Sequence, residues 1–392
     1  MTHDARQRGL SGVALAGVLA ASTLPIMSGA VIVPALNELR AAFDLGPVAA
    51  GALVTAHTVF IAAGSPLAGV IIDRVGARRP LIWGLVGFGL AGGAGALAPN
   101  LAWLLISRVP FGLATSFVFT AITVVILNST TGDRRNTVMG WRAAGNQLGG
   151  IIYPTVGGFA AVIAWQGAFL VYLIALPIAL LVAITLPRDS ATKRPPGGVW
   201  ALIRSDQRLQ RLYVAAFSAY ASLYIVVIFA PQLLAESGLG GAVIVGLYLS
   251  GMNLAAFIAA SLFGRIRKIM GPGLILTIAG VAYLSSAIIL VLLETPIPIA
   301  VALAVFGLAH GLVVPSITVA VGNCAPPHLR GRVTSGLGVT NYLGQFTSPY
   351  LAAPLVAMVG LAGAFGMLGL GGLLVWVLGG PAAAKAREES SS

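Results

Sequence analysis

The sequence predicts an all-α integral membrane protein with twelve transmembrane helices, arranged as two six-helix parallel repeats. Three observations support this fold class: the composition, the recurrence of long apolar runs, and an internal repeat. Hydrophobic residues fill 58% of the 392 positions and charged residues only 9%, against about a quarter in a soluble domain. A chain so poor in charge cannot cover a water-exposed surface. The composition therefore excludes a soluble enzyme, a nucleic-acid-binding protein and a disordered protein.

The few charged residues are mostly basic. The formal net charge is +12, from 23 Lys and Arg against 11 Asp and Glu. In a membrane protein such an excess marks cytoplasmic loops. The single cysteine, Cys324, excludes an internal disulfide and any multi-cysteine metal site. No metal or cofactor is expected.

Long apolar runs recur along the chain, separated by short polar or Pro/Gly-rich breaks. A helix needs roughly 20 apolar residues to cross a bilayer core. The predicted spans of the first half are 11–36, 48–72, 80–98, 101–127, 137–162 and 166–186. Those of the second half are 212–234, 242–263, 272–293, 297–322, 333–358 and 362–380. The length of the first span favours a retained helix over a cleaved signal peptide.

The basic residues set the orientation. They cluster in the loops after spans 2, 4, 6, 8 and 10, whereas the opposite loops hold Arg40 as their only basic residue. Basic loops stay in the cytoplasm. The sequence therefore predicts a multi-pass protein of the cytoplasmic membrane with both termini inside.

The two halves are predicted to be repeats. A shift of 195 residues places Phe111–Ala114 on Phe306–Ala309 and also aligns several polar residues and prolines. These pairs are Asn128 and Asn323, Arg135 and Arg330, Asn146 and Asn341, and Pro154 and Pro349. With six spans each, the halves have the same orientation, as parallel repeats do. The predicted domains are an N-terminal half at 1–187, a cytoplasmic linker at 188–211 and a C-terminal half at 212–392.

A glycine- and charge-rich segment follows span 2, where residues 69–79 read GVIIDRVGARR. Glycine at its start lets two helices approach closely, the second glycine permits a tight turn, and the aspartate can cap a neighbouring helix. The segment resembles the loop signature of the major facilitator superfamily, G-x-L-x-D-R-x-G-R-R/K, with a departure at Ala77. This resemblance implies a gating role for Gly69, Asp73, Arg74, Gly76 and Arg78. The alternative is a solvated loop that only sets topology.

Two further elements resemble the same family. Arg108 and Gly112 in span 4 match its R-x-x-x-G element, and an arginine inside a span is a functional candidate. The alternative is an arginine that snorkels to the outer surface. Residues 149–158, GGIIYPTVGG, are similar to the exporter element G-x-x-x-G-P-x-x-G-G, with Tyr153 in place of a glycine. Small residues there let the helix pack closely against a partner from the other half. The gating residues implied here are Gly149, Pro154, Gly157 and Gly158.

The family fold implies a central cavity lined mainly by spans 1, 4, 7 and 10. Polar and aromatic side chains on these and the adjoining spans are the candidates for substrate contact. They are Ser28, His57, Arg108, Thr115, Phe119, Gln147, Tyr220, Tyr224, Asn253, His310, Asn341 and Gln345. Since Ser, Thr and Asn also bridge membrane helices, a structural role is the alternative at each polar position.

No Asp or Glu lies in the middle of a predicted span. Drug/proton exporters of this family often carry an acid shortly before a proline like Pro34, where this chain reads MSGAVIV. Any proton linkage is therefore expected through His57 or His310, or not to exist. The cavity suits a neutral, amphipathic or anionic solute better than a dication.

The sequence thus predicts a secondary transporter, not an enzyme, that moves small organic compounds by alternating access, as an efflux antiporter or other exporter. One alternative is an uptake permease or exchanger for an organic anion or metabolite, with Arg108 holding the negative group. A second is a non-transporting membrane receptor. The expected partners are a small-molecule substrate and membrane lipid, with protons as a candidate coupling ion. No nucleic acid and no cofactor is expected, and the chain is expected to be a monomer.

Overall fold

The computed structural model describes residues 10–130, 132–187, 203–293, 295–324 and 330–384, and all regular elements within these ranges are helical. The helices of the first half are α1 Gly12–Ala30, α2 Leu36–Phe43, α3 Pro47–Val75, α4 Arg78–Gly93, α5 Leu101–Ser129, α6 Gly132–Ala161, α7 Gln166–Leu170 and α8 Ala175–Thr185. Those of the second half are α9 Gln207–Glu236, α10 Ala242–Ile269, α11 Pro272–Leu292, α12 Pro296–Asn323, α13 Arg330–Val359 and α14 Leu361–Leu374. The predicted all-α fold class is confirmed.

Local sequence explains where several helices begin. The side chains of Ser11, Asn100 and Asp206 each accept a hydrogen bond from a backbone N–H in the first turn of α1, α5 and α9. Proline occupies the first turn of α11 and α12, at Pro272 and Pro296, where its missing N–H costs no helical hydrogen bond.

In the described part of the chain, ten helical segments are long and apolar enough to cross a membrane. Helices α6 and α13 have 30 residues each, which is also sufficient length, but they carry more polar residues. These two helices correspond to the predicted spans 5 and 11. With them the chain has the twelve spans of the predicted fold.

The first span differs from its prediction as a single helix over 11–36. Helix α1 ends at Ala30, a short 3₁₀ turn covers Val33–Ala35, and α2 follows as a separate helix. Pro34 accounts for the break, because its ring removes a backbone donor and clashes with the preceding turn. Span 6 is also interrupted, by a 3₁₀ turn at Val171–Ile174 between α7 and α8.

The chain divides into two compact units. The N-terminal unit contains Met1–Ala35 and Ala56–Pro195, and the C-terminal unit contains Leu36–Thr55 and Pro196–Ser392. The segment Leu36–Thr55, called here the 36–55 hairpin, thus belongs with the C-terminal spans although it lies early in the sequence. The predicted domain division stays a prediction, and residues 188–202 of its linker lie outside the described residues.

One helix contact recurs at the repeat offset. A Cβ on Gly112 of α5 would overlap the carbonyl oxygen of His57 on α3. A Cβ on Gly307 of α12 would likewise overlap the carbonyl oxygen of Met252 on α10. Both residues of the second contact lie 195 positions after those of the first. The same pair of helices therefore meets backbone to backbone in each half, and only glycine fits.

Candidate substrate site

Arg108 lies on α5 in the N-terminal unit, and its side chain is fully buried, with 0% exposed. Its Nε and Nη2 atoms donate to Ser107 Oγ at 3.3 and 3.0 Å. The guanidinium carbon lies 4.9 and 5.2 Å from the ring centroids of Phe111 and Phe169, and Tyr172 is a further polar neighbour. Nη1 is buried without a hydrogen-bond partner among the described residues. Arg108 therefore does not snorkel to the surface but lies in an aromatic enclosure.

Ser28 connects three spans of the N-terminal unit. Its hydroxyl donates to the Pro25 carbonyl at 2.7 Å and lies 3.0 Å from His57 Nε2. With the hydroxyl proton directed at Pro25, an imidazole protonated at Nε2 would donate to Ser28. The Ser28 carbonyl accepts the Tyr172 hydroxyl at 2.7 Å. Two candidates, Ser28 and His57, are thus joined through Tyr172 to the surroundings of Arg108.

The remaining candidates of this unit separate into different settings. The Thr115 hydroxyl donates to the Phe111 carbonyl of its own helix at 2.7 Å, and this bond fits the structural alternative. The Phe119 ring lies 5.4 Å from the guanidinium carbon of Arg142. Arg142 is 8% exposed and donates from Nη1 to Thr123 Oγ1 at 2.8 Å. The side chain of Gln147 lies outside the described residues.

Sequence reasoning missed Arg142. It stands inside the predicted span 137–162, so the argument that singled out Arg108 applies to it equally. The structure adds a second buried cation to the N-terminal unit, held by a hydroxyl and facing an aromatic ring.

His310 is the centre of an aromatic cluster in the C-terminal unit. Its Nδ1 lies 2.6 Å from the Tyr283 hydroxyl, and its ring lies edge-on to Tyr220 at 5.5 Å and stacks on Phe306 at 5.7 Å. The side chain is 9% exposed. Tyr283 was not predicted, and it is identified only by its contact with the histidine. The cluster provides one polar pair within an apolar, aromatic environment.

A cleft opens beside this cluster. Tyr220 and Asn341 are its main polar side chains, and Thr318 adds a hydroxyl. The rest of the lining is apolar and consists of Ala216, Ala219, Val313, Val314, Ile317 and Leu337. Its empty volume of about 220 Å³ is smaller than the roughly 300–1,000 Å³ of most small-molecule sites, but its apolar lining with a few polar groups is typical of them. Three candidates are thereby brought together. His310 contacts Tyr220, and Tyr220 lines the cleft together with Asn341.

The other candidates of the C-terminal unit are placed differently. Asn253 donates from Nδ2 to the Leu249 carbonyl of its own helix at 2.8 Å, which satisfies that group locally. Gln345 is 7% exposed, and Tyr224 is half-buried. None of these three lines the cleft.

The equivalent asparagines of the repeat share one unusual property. The Oδ1 atoms of Asn146 and Asn341 are both buried, and each lacks a hydrogen-bond partner among the described residues. Buried polar atoms are normally paired, so an unpaired acceptor marks a place where a donor is missing. Asn341 is the more informative of the two, because it also lines the cleft.

The loop after span 2 forms a turn at Gly76, whose φ of +82° favours glycine. Asp73 and Arg74 lie in the last turn of α3, and the Arg78 guanidinium donates to the Ala183 carbonyl on α8. No heavy atom of the described residues lies within 4 Å of a Cβ built on Gly69, so the described part of the chain shows no close approach there, and the role of Gly69 stays a prediction. The neighbouring elements leave open space at that position.

The exporter-like element on α6 packs within its own unit. A Cβ on Gly157 would overlap the carbonyl oxygen of Val31, and one on Gly149 would lie 3.2 Å from Ile26 Cγ2. These two glycines therefore pack against span 1 of the same half. The predicted packing against a partner from the other half stays a prediction. Pro154 and Gly158 are buried on the same helix. The gating role of the element stays a prediction.

Comparison with curated proteins finds relatives with related names. The chain is 22% identical over 327 residues to the multi-drug resistance efflux pump PmrA of Streptococcus pneumoniae, covering 81% of each chain. It is 24% identical over 341 residues to the multidrug efflux protein YfmO of Bacillus subtilis, covering 86% of this chain and 84% of that protein. Multidrug resistance protein 2 of Bacillus subtilis is 31% identical, but the match spans 154 residues and only 38% of that protein.

Solved structures share the fold at low sequence identity. A bacterial homolog of the human lysosomal transporter Spinster matches with a TM-score of 0.75 and 16% identity, covering 96% of each chain. A D-xylose-proton symporter matches with a TM-score of 0.73 and 17% identity, over 93% of this chain and 96% of that one. The family model of the Major Facilitator Superfamily matches residues 18–349. Since this match spans most of the sequence, the chain belongs to the Major Facilitator Superfamily.

Proposed function

We propose that this transporter exports small, amphipathic organic compounds from the cytoplasm by alternating access. The similarity to multidrug efflux pumps over more than four-fifths of the chain supports the direction of transport. The sequence supports the solute class, because no carboxylate lies mid-span to attract a cation.

The observation that carries the proposal is the cleft beside His310. Its wall is mostly apolar, Tyr220 offers an aromatic face, and Asn341 carries an unpaired acceptor. A compound with an apolar body and one hydrogen-bond donor would complement this lining. Satisfying a buried acceptor contributes to specificity, since a compound without the donor leaves that group unpaired.

The test is export of a compound panel from proteoliposomes, with and without an imposed pH gradient. Asn341→Ala should weaken transport of donor-bearing compounds by about tenfold, the effect of roughly 1.4 kcal/mol in binding. Asn253→Ala is the matched control, because that amide is bonded within its own helix and lies away from the cleft. Equal transport by both variants would contradict the cleft as the substrate site, and absence of any export would contradict the proposed function.

Uptake or exchange of an organic anion is the second candidate. The buried guanidinium of Arg108, with one unpaired nitrogen, favours it. An anion would have to enter the enclosure of Phe111 and Phe169, because Arg108 is fully covered. Accumulation of an organic anion in the same vesicles, lost in Arg108→Gln, would establish this function in place of export.

The proposed orientation places both termini and the 188–211 linker in the cytoplasm. Cysteines at Glu38, Glu236 and Glu294 should react with an impermeant external thiol reagent in a Cys324→Ser background, whereas one at Ser190 should not. Labelling of Ser190→Cys alone would reverse the topology.

A further inference from the structure

The side-chain amide of Asn37 links the 36–55 hairpin to the turn between α9 and α10. Asn37 Nδ2 donates to the carbonyl oxygens of Pro231 and Gly240, both at 3.0 Å. These two acceptors lie on either side of the turn, so one side chain holds both ends. The turn and its flanks, residues 231–242, are called here the 231–242 loop.

A second amide makes the reciprocal contact. Gln232 lies 195 positions after Asn37 and therefore occupies the equivalent repeat position. Its Nε2 donates to the Ile228 carbonyl at 3.1 Å and reaches the Pro47 carbonyl of the hairpin at 3.5 Å. The Oδ1 of Asn37 and the Oε1 of Gln232 are both buried without partners among the described residues. The contact thus has two matched amides and two acceptors that lack donors.

The backbone fit around these amides is tight. A Cβ on Gly51 of the hairpin would lie 2.8 Å from Ile228 Cγ2 and 2.9 Å from Pro349 Cβ. A Cβ on Gly240 would lie 2.8 Å from Ala235 Cβ and 3.3 Å from Asn37 Nδ2. The contact therefore leaves no room for a Cβ at Gly51, and a Cβ at Gly240 would crowd both Ala235 of the same loop and the Asn37 amide.

Glu38 is the acidic residue of this contact. Its carboxyl group accepts a hydrogen bond from the N–H of Ala242, the first residue of α10, where the cap residue Gly241 offers no side chain. Its other oxygen, Oε2, is buried without a partner among the described residues. The equivalent repeat position is Leu233, so the acid is present on one side only.

We propose that Glu38 is a proton-binding site that holds the 36–55 hairpin on the 231–242 loop when protonated and releases it when ionised. The proposal rests on the export function above for its physiological meaning, as the group that senses protons on the predicted outer side.

The chemistry follows from the unpaired oxygen. A proton converts Oε2 from an acceptor without a partner into a hydroxyl donor, and two unpaired amide acceptors belong to the same contact. An ionised carboxylate would instead keep a charge buried with one oxygen unsatisfied. The closed contact between the 36–55 hairpin and the 231–242 loop is called here the latch. Oε2 of Glu38 is covered when the latch is closed and would be hydrated when the latch is open, so the closed state binds the proton more tightly. Acid therefore stabilises the latch and alkaline pH weakens it.

The other charged groups around Glu38 are few. Arg40 and Asp44 lie on the hairpin itself, and Glu236 is exposed at the end of α9. Helix α10 has its basic residues in its last turn, at the opposite end from Ala242. Glu38 is half-buried, and among these acids it is the one with a buried carboxylate oxygen, Oε2.

The test measures the latch directly by distances between spin labels. Ala41→Cys on α2 and Ile244→Cys on α10 are both at exposed positions and leave the charged groups intact, in a Cys324→Ser background. Between pH 5 and 8 the ratio of short to long distances should fall, by up to about tenfold per pH unit for one proton. Glu38→Gln should keep the short distance between the labels at all pH values. Asp44→Asn is the matched control and should show the same pH dependence as the labelled parent protein.

A distance distribution that does not change with pH in the parent protein would overturn the proposal, even if Glu38→Gln fails to fold. A full pH response retained in Glu38→Gln would overturn it as well. Export is measured separately in proteoliposomes, where Glu38→Gln should lose stimulation by a pH gradient. If no compound is exported at all, the proposed function fails while the distance measurement still decides the latch.

Discussion

Replacing Arg108 by methionine should keep or raise the stability of the fold and impair transport. The side chain is fully buried, and its described neighbours are Ser107, Tyr172 and two phenyl rings, none of which is a carboxylate. Methionine has a similar length and no charge, and it can fill the enclosure left by the guanidinium.

The magnitude follows from opposing contributions. The two aromatic faces stabilise the cation by about 1–4 kcal/mol together, and the hydrogen bonding to Ser107 contributes about 1.5–3 kcal/mol. Burying the charge costs several kcal/mol, and Nη1 recovers none of this through a hydrogen bond within the described residues. The terms nearly cancel, and apolar replacement of buried ionic groups is commonly neutral or stabilising by about 1–4 kcal/mol. Arg108→Met should therefore raise the thermal midpoint or leave it unchanged.

The assay is thermal unfolding in detergent, followed by intrinsic fluorescence, beside transport in proteoliposomes. Arg265→Met is the control, because Arg265 is exposed and its loss should change stability by less than about 0.5 kcal/mol. We expect Arg108→Met to lose transport while keeping or gaining stability. A large loss of stability with transport intact would refute the reasoning and make Arg108 a structural residue.

Three further predictions address the backbone, the coupling ion and the gate. Gly112→Ala should cost about 1–3 kcal/mol in thermal unfolding, because its Cβ overlaps the His57 carbonyl, whereas Gly69→Ala, which has open space, should be neutral. Equal midpoints would contradict this assignment. If the Glu38 carboxyl group carries the proton, transport by the double variant His57→Ala/His310→Ala should still be stimulated by a pH gradient. Loss of this stimulation would indicate that the histidines carry the proton. Asp73→Asn should lower the transport rate but keep substrate binding, since a gate shifts a conformational balance, and a wild-type rate would exclude a gating role.

The fold was predictable because composition and apolar run length determine membrane spans directly. The break after Ala30 was not, because Pro34 lies within a run that is apolar throughout. Hydropathy measures transfer into lipid and is insensitive to a turn between two helices. The assignment of the 36–55 hairpin to the C-terminal unit was equally inaccessible, since it depends on contacts between residues far apart in the sequence.

The residue types of the candidate site were predictable from the sequence, but the contacts between them were not. Sequence reasoning named Tyr220, His310 and Asn341 because polar and aromatic residues inside a span are costly. It could not separate them from Asn253, whose amide bonds its own helix, since both arrangements use the same residue type. Tyr283 was missed because its importance comes from one hydrogen bond to His310.

Features found at equivalent positions of both halves are those that the fold requires. An aromatic pair occurs at equivalent positions in both halves. The ring centroids of Phe88 and Phe111 lie 4.8 Å apart, and those of Tyr283 and Phe306, each 195 positions later, lie 4.5 Å apart, so this packing is part of the common fold.

Charged positions behave differently. Arg108 corresponds to Leu303 and Glu38 to Leu233, and each leucine is 1% exposed. The same position in the other half therefore accepts an apolar side chain without a charge to satisfy. Since the scaffold does not need these charges and burial makes them costly, their presence in one half only is best explained by a task that the two halves do not share.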